Sequence, residues 1–374
     1  MKLRHLGDVL LTVPVFRALK HTFPGCRLTA LVNAGTEGVL QKNPLIDEVL
    51  TLDRSVKRLG AIERYRREAS FIRDVRRLGF DMTVDLTGGD RAALLSYLSG
   101  APSRIGWKSK RGFLGKQRLY TGLTRPDHNS HMVLQNLAVV RAAGVDGPDL
   151  RVDFPVEPKD RDFVREVLHE TGNTKRQALV HVHPTSRWLF KCWKDESMGE
   201  VIAWLLREGA AVAVTASAAE SELRRSSAIL AHIKAHAHDV PGLIDLSGRT
   251  TIGQLAALSE QADLFLGVDS APMHVAAAVN TPVIALFGPT GACHWGPWNN
   301  GAAAPDGDHD FSRAYTCEGG TQCWGMHTVI QRAWDCIPCG QDGCRSTKVS
   351  NCLMDISPGE VEEILSVYLK EVGA

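Results

Sequence analysis

Two doubly wound α/β domains are the architecture this sequence predicts, and three observations predict it. Short aliphatic and β-branched runs alternate with longer stretches of helical spacing along the chain, the pattern of a parallel sheet joined by crossover helices. That alternation is interrupted over Gly144 to Lys159, a stretch rich in Gly, Pro and Asp that reads as a linker between two similarly patterned halves. At 374 residues, with 44% hydrophobic and 23% charged, the chain suits two globular domains that each bury a core. The expected division is 1–150 and 151–374, with a Cys-rich region at about 300–355 and a final helix in the second part.

The first half opens on Arg4-His5-Leu6-Gly7-Asp8-Val9, a Gly-Asp turn leading into an apolar helix. Such a turn normally follows a central strand. Only Met1-Lys2-Leu3 precedes it, so the reading is either a missing strand or an irregular start. Strands are then expected at Cys26 to Val32, Asp47 to Leu52, Phe80 to Leu86 and Ser103 to Trp107. A basic helix should fill Gly60 to Leu78, and a basic loop should run from Lys108 to Arg118. His128 to Ala143 has helical spacing, with Met132, Leu134, Leu137, Val139 and Val140 as the expected buried positions.

In the second half, strands are expected at Ala178 to His183, Ala211 to Thr215, Leu243 to Leu246 and Ala262 to Gly267. The stretch from Val268 to Thr290 reads as a loop, a short helix and a buried strand, with Ser270 as N-cap and Pro272 in the first turn. The first turn of a helix carries unpaired N–H groups and partial positive charge, which suits a phosphate. The plain alternative is an ordinary capped helix in which Asp269 and His274 stabilise a turn. Three strand ends carry polar groups: Thr185, Ser186 and Lys191; Glu220; and Asp269, Ser270 and His274. Ligands of open α/β sheets bind beyond the carboxyl ends of the strands, so these groups are candidates for one crevice.

Composition and missing motifs narrow the chemistry. The formal charge of +1 gives no whole-chain argument for nucleic acid. Arg54, Lys57, Arg58, Arg64, Arg66, Arg67, Arg73, Arg76 and Arg77 form a local patch, read as a solvated helix face or a surface for anionic lipid or glycolipid. No apolar run approaches the ~20 residues that span a bilayer and no signal peptide precedes Met1, so a cytoplasmic location is expected. There is no Gly-x-Gly-x-x-Gly fingerprint after a strand and no Walker lysine motif, which argues against a dehydrogenase and a P-loop kinase. Lys191, the hydroxyls of Thr185 and Ser186 and the helix start at Ser270 would instead cradle a diphosphate. Glu220 would accept from a ribose or base. Asp8 is a candidate general base, with helix capping as its plain role.

Three motifs carry a resemblance: Arg4 to Pro14; His183-Pro184-Thr185-Ser186-Arg187-Trp188 with Lys191 and Trp193; and Asp269-Ser270-Ala271-Pro272-Met273-His274 with Thr281-Pro282 and Phe287-Gly288-Pro289-Thr290. Together, in this order, they resemble the bacterial lipopolysaccharide heptosyltransferases, glycosyltransferase family 9. The Trp-rich middle motif and the Cys-rich tail are most similar to the heptosyltransferase III type. The resemblance implies a GT-B fold, two Rossmann-like domains facing a cleft, the acceptor held mainly by the first and the sugar nucleotide by the second. It implies inverting transfer of L-glycero-D-manno-heptose from ADP-heptose to the lipopolysaccharide inner core, at the cytoplasmic face of the inner membrane. Asp8 matches the family's catalytic aspartate, Lys191 its phosphate-binding lysine, Asp269 with Ser270 its donor motif and Glu220 its acidic nucleoside contact. No cofactor is implied for the chemistry, and no Asp-x-Asp motif lies near the donor residues. Alternatives are a GT-B transferase using another ADP- or UDP-sugar, or a non-catalytic nucleotide-sugar-binding protein.

Nine cysteines in a reducing compartment favour thiols or a metal site over disulfides. Cys317, Cys323, Cys336, Cys339, Cys344 and Cys352 crowd a poorly patterned region. Cys336, Cys339, Cys344 and Cys352 have spacings able to ligate zinc or an iron–sulfur cluster. Their plain reading is a set of reduced thiols in a loop-rich subdomain, or disulfides formed only on oxidation.

Overall fold

The computed structural model describes residues 1–109, 112–127, 129–170, 178–236, 241–311 and 314–373. Lys110 and Arg111 of the expected basic loop, and His128 at the expected helix start, lie outside the described residues. The chain divides into two compact units, Met1–Val152 and Asp153–Ala374.

In the first unit, β1 (Thr29–Asn33) pairs in parallel with β2 (Glu48–Leu52). A second parallel ladder is formed by β3 (Met82–Val84), β4 (Ser103–Trp107) and β5 (Gly122–Thr124). The first residues of the chain join the two ladders. Lys2 bridges Val32 in parallel, its N–H donating to the Leu31 carbonyl at 3.0 Å, while the Met1 carbonyl accepts from the Leu86 N–H at 3.0 Å. Met1 to Leu3 thus stand where a central strand belongs, bonded on both sides, and Met1 and Leu3 pack on the cluster of Leu31, Leu52 and Leu95. Counting this segment as strand one gives the doubly wound order 3-2-1-4-5-6.

Lys2 is buried beneath this point. Its Nζ donates to the Leu86 carbonyl at 3.0 Å and to Asn136 Oδ1 at 3.1 Å, and Asn136 donates in turn to the Leu11 carbonyl at 3.2 Å. Burial draws the Lys2 ammonium down to about 8, with Asp8 pulling in the opposite direction. This polar tie also corrects the expected face of the following helix, Met132–Arg141. Gln135 and Asn136 are buried there with Val133, Leu137, Val139 and Val140, while Met132 and Leu134 are half-buried. The basic helix is Ala61–Arg77. Its second half packs Phe71 and Ile72 on the core, but its first two turns are exposed all round, leaving Ile62 at 80% and Tyr65 at 74% exposure.

The second unit is built on one seven-stranded sheet. Its strands are β6 (Leu179–His183), β7 (Ala211–Val214), β8 (Leu243–Asp245), β9 (Leu264–Val268), β10 (Val283–Leu286), β11 (Gln322–Trp324) and β12 (His327–Ile330). The order is β11-β12-β10-β9-β6-β7-β8, parallel except for the β11–β12 hairpin. Both faces are covered, which is why β7, β9 and β10 read as unbroken apolar runs and why the two histidines of β6 are buried. Val180, Val182, Val212 and Val214 face the helices Asp195–Arg207 and Glu220–His236, while Leu179, Ala211 and Ala213 face the helices Pro158–Glu170 and Ile252–Gln261. The chain reverses direction of winding between β6 and β9, so the crevice of this sheet opens at their carboxyl ends. No helix among the described residues is long and apolar enough to cross a membrane.

Candidate active site

The carboxyl ends of β6 and β9 bring together most of the polar groups singled out from the sequence. After β6, Pro184 ends the strand, and Thr185 and Ser186 follow, both buried. The chain then makes a short turn, Leu189–Lys191, closed by the Lys191 N–H to Trp188 carbonyl bond at 2.9 Å. That turn aims Lys191 back at the end of β9, where its Nζ lies 2.7 Å from Asp269 Oδ2. Asp269 is 3% exposed, and the same oxygen accepts from the Thr290 hydroxyl beyond β10. Residues from three strand ends are therefore tied at one carboxylate.

Ser270 occupies the N-cap position of the helix Ala271–Ala278, with Pro272 in its first turn. Its hydroxyl, however, makes no capping bond and is buried without a hydrogen-bond partner among the described residues. A buried unsatisfied hydroxyl costs roughly 1–3 kcal/mol, recoverable by a ligand group that bonds it. The helix N–H groups beside it are the anion-binding end. His274 is buried one turn further along. A lysine ammonium has three donors, so Lys191 can hold a phosphate oxygen without leaving Asp269.

The acidic residue expected at the next strand end divides into two. Glu220 begins its helix with its side chain 84% exposed and paired to Arg224 at 2.8 Å. Glu222 is 6% exposed and accepts from Thr185 Oγ1 at 2.8 Å and from Ser217 Oγ at 2.6 Å. Sequence reasoning missed Glu222, although a signal was there: Glu222, Ser226, Ile229 and Ile233 follow helical spacing on one buried stripe. Beneath the site, Thr215 Oγ1 lies 2.8 Å from both His181 Nε2 and His183 Nδ1, and His181 Nδ1 lies 2.8 Å from Ser259 Oγ. Burial lowers His183 to about 4 and His181 well below its usual value, so both rings are neutral supports of the strand ends.

In the first unit, the corresponding switch point lies between Met1–Leu3 and β3. Asp8 is on the short helix Leu6–Leu10 that follows the former, half-buried, its Oδ2 accepting from the His5 N–H at 3.4 Å. The capping role is thus present. It is one half of a capping box, in which the His5 side chain also accepts from the Asp8 N–H. Across the switch point, Asp85 is buried and accepts from the Thr87 N–H at 2.7 Å, the Gly88 N–H at 3.2 Å and the Tyr120 hydroxyl at 2.5 Å. Lys116 donates to the Gly88 carbonyl at 3.1 Å. These groups fix the turn Thr87 to Asp90 and were not singled out from sequence.

The cysteines depart from expectation in one respect. Cys293 and Cys317 form a disulfide, where the expectation favours thiols or a metal site over disulfides. Among the described residues, Cys293, His294 and Cys317 are the set of three potential metal ligands within 4.8 Å of one another. Their two sulfurs are joined to each other, which leaves the set no thiolates. Cys336, Cys339, Cys344 and Cys352 are free.

Comparison with known proteins agrees with this layout. Residues 68–309 match the family model described as glycosyltransferase family 9 (heptosyltransferase). Over 300 residues the chain is 32% identical to lipopolysaccharide heptosyltransferase 3 of Escherichia coli strain K12, covering 79% of this chain and 83% of that protein. Among solved structures, a glycosyl transferase family 9 protein from Veillonella parvula superposes with TM-score 0.74 at 21% identity, covering 99% of this chain and 95% of that one. The E. coli ADP-heptose lps heptosyltransferase II superposes with TM-score 0.73 at 19% identity and full coverage of both chains. The fold is that of these enzymes, two Rossmann-like units of GT-B type. This chain belongs to glycosyltransferase family 9, the heptosyltransferases.

Proposed function

We propose that this protein transfers L-glycero-D-manno-heptose from ADP-heptose to the inner core of lipopolysaccharide, adding the third, branching heptose with inversion at the anomeric carbon. The observation that carries this reading is the Lys191–Asp269–Thr290 cluster at the switch point of the second sheet, in a chain 32% identical to a heptosyltransferase 3 over most of its length. Asp8 is assigned the general base, accepting the acceptor hydroxyl's proton as its oxygen attacks C1 and ADP departs. Lys191 and the N–H groups following Ser270 stabilise the leaving diphosphate, an electrostatic contribution of order ~3 kcal/mol. Asp269, Ser270 and His274 orient the heptose and phosphates, and Thr185 and Ser186 line the β6 side. Glu220 is assigned the nucleoside, with Glu222 fixing the strand end behind it. No metal or organic cofactor has a role in this scheme.

The first unit is assigned the acceptor. Its exposed basic helix, with Ile62 and Tyr65 among arginines, suits the anionic surface in which a lipid-linked acceptor sits, and supports peripheral attachment at the cytoplasmic face of the inner membrane. The test is transfer of heptose from purified ADP-heptose to defined truncated cores. A product carrying one added branch heptose is expected. Transfer from another ADP- or UDP-sugar in preference, or donor binding without transfer, would replace this reading.

A further inference from the structure

We propose that the first unit docks on an anionic phospholipid bilayer through the face covered by the helices Ala61–Arg77 and Asp90–Leu98, and that the turn 112–115 inserts Phe113 and Leu114 among the headgroups. The three elements are neighbours. Phe71 and Ile72 of the first helix and Leu95 of the second belong to one apolar cluster with Leu31 and Leu52, and Arg91 Nη2 lies 3.5 Å from Glu68 Oε1 between the helices. The turn is seated on the start of the second helix, where Lys116 Nζ lies 3.3 Å from Asp90 Oδ1.

This face exposes what the other face of the sheet does not. Ile62, Tyr65, Leu94, Tyr97, Phe113 and Leu114 are all exposed, Leu114 completely. Right-handed winding puts the helix Val13–Thr22 on the opposite face, and Met132–Arg141 packs beside it. Among the described residues, neither of those helices leaves a large apolar side chain exposed. Single exposed apolar side chains are ordinary; six on three adjoining elements make a patch that needs a partner. Charge selects the partner. The helix Ala61–Arg77 carries six arginines against three acidic residues, and the Arg104 guanidinium stands over the Tyr97 ring at 5.7 Å. Apolar and tyrosine side chains set among arginines match anionic headgroups above an apolar layer. The same excess of one sign disfavours this face of a second copy.

The turn is built to hold its apex outward. Gly112 has φ 110°, and a Cβ there would stand 2.7 Å from Lys116 Nζ, so a side chain has no room. Lys116 is buried, and its N–H donates to the Phe113 carbonyl at 3.3 Å. Gln117 Nε2 crosses the base to the Ser109 carbonyl at 3.0 Å. A loop fixed at its base loses little conformational freedom when its apex enters a bilayer. Lys116 Nζ also donates to the Gly88 carbonyl at 3.1 Å, which ties the inserting apex to the turn Thr87 to Asp90 at the switch point of this unit. That the bilayer is the one carrying the acceptor rests on the function proposed above; the docking itself does not.

The test is flotation of the full chain with vesicles of phosphatidylcholine, with and without phosphatidylglycerol. Wild type should float with the anionic vesicles and not with the neutral ones. Phe113→Ser/Leu114→Ser should weaken that binding roughly tenfold or more, and Phe23→Ser, outside the face, should leave it unchanged. Leu114→Trp should show tryptophan quenching by brominated lipid beyond that of wild type, a readout of insertion that stands if the double variant fails to fold. Equal flotation of wild type and double variant, or no added quenching in Leu114→Trp, overturns the insertion. Wild type that floats with neither vesicle overturns the docking; if it also dimerises in ultracentrifugation and the double variant does not, the face belongs to a second copy. Transfer onto acceptor embedded in anionic vesicles should fall in the double variant, while transfer onto delipidated core keeps its wild-type rate. Equal loss on both acceptors would contradict a docking role. Vesicle binding by a protein that transfers no heptose would sink the proposed function and leave the docking standing.

Discussion

Asp269 and Asp8 both flank the switch point of their own sheet, Asp269 directly after its fourth strand and Asp8 in the short helix after the segment that stands as its first, and their surroundings differ. Asp269 is buried, ion-paired to Lys191 at 2.7 Å and hydrogen-bonded by Thr290. Asp8 is half-buried on a single helical turn and accepts one long bond from its own helix start. On the function proposed above, the difference gives the two carboxylates two tasks. A desolvated carboxylate held by an ammonium and a hydroxyl orients its neighbours; a less buried one without a cation at hydrogen-bond distance can take a proton.

The comparison breaks most sharply at Asp8. Asp8→Asn should lower the transfer rate by about 10³-fold in a steady-state assay, because the amide cannot accept the acceptor's proton. Lys191→Met comes next. It should lower kcat/KM for ADP-heptose by roughly 10²-fold and weaken ADP binding measured by calorimetry, since it also strips Asp269 of its counter-charge. Unchanged donor affinity would remove Lys191 from the phosphate site.

Two further expectations concern stability. His183, held at about 4 by burial, and His181, also lowered well below its usual value by burial, stay neutral in the folded protein, whereas the unfolded rings protonate near 6.5. The unfolded state therefore binds more protons between these values. Stability should be complete above about pH 6.5 and fall as the pH drops toward 4, by of order 3 kcal/mol from His183 alone, as read by urea denaturation across that range. A flat profile would show that the His181–Thr215–His183 network is solvated. The smallest effect separates the two glutamates: Glu222→Ala should cost about 2 kcal/mol by leaving Thr185 and Ser217 unpaired, and Glu220→Ala less than about 0.5 kcal/mol. Equal losses would mean that the buried stripe of that helix is misassigned.

How much of this could be read beforehand depended on burial. β7 and β9 were legible because both faces of their sheet are covered, so the strands are apolar runs bounded by polar turns. Asp269, Ser270, Lys191 and Thr185 were legible because they sit at fixed offsets from those strand ends. Met1–Leu3 was not, since a segment bonded on both sides by neighbouring strands needs no length or pattern of its own. Asn136 and Gln135 were passed over because a periodicity count treats a buried amide as a polar face; only the partner, Lys2 or the Ser130 carbonyl, explains the burial. Tertiary partners of this kind, like Thr185 for Glu222, are invisible to spacing.

The most direct test of the division of labour is donor affinity and single-turnover transfer measured together on Asp8→Asn. The account predicts a Kd for ADP-heptose within about twofold of wild type and a transfer step slowed by about 10³-fold. Wild-type transfer, or loss of donor binding in step with transfer, would contradict it.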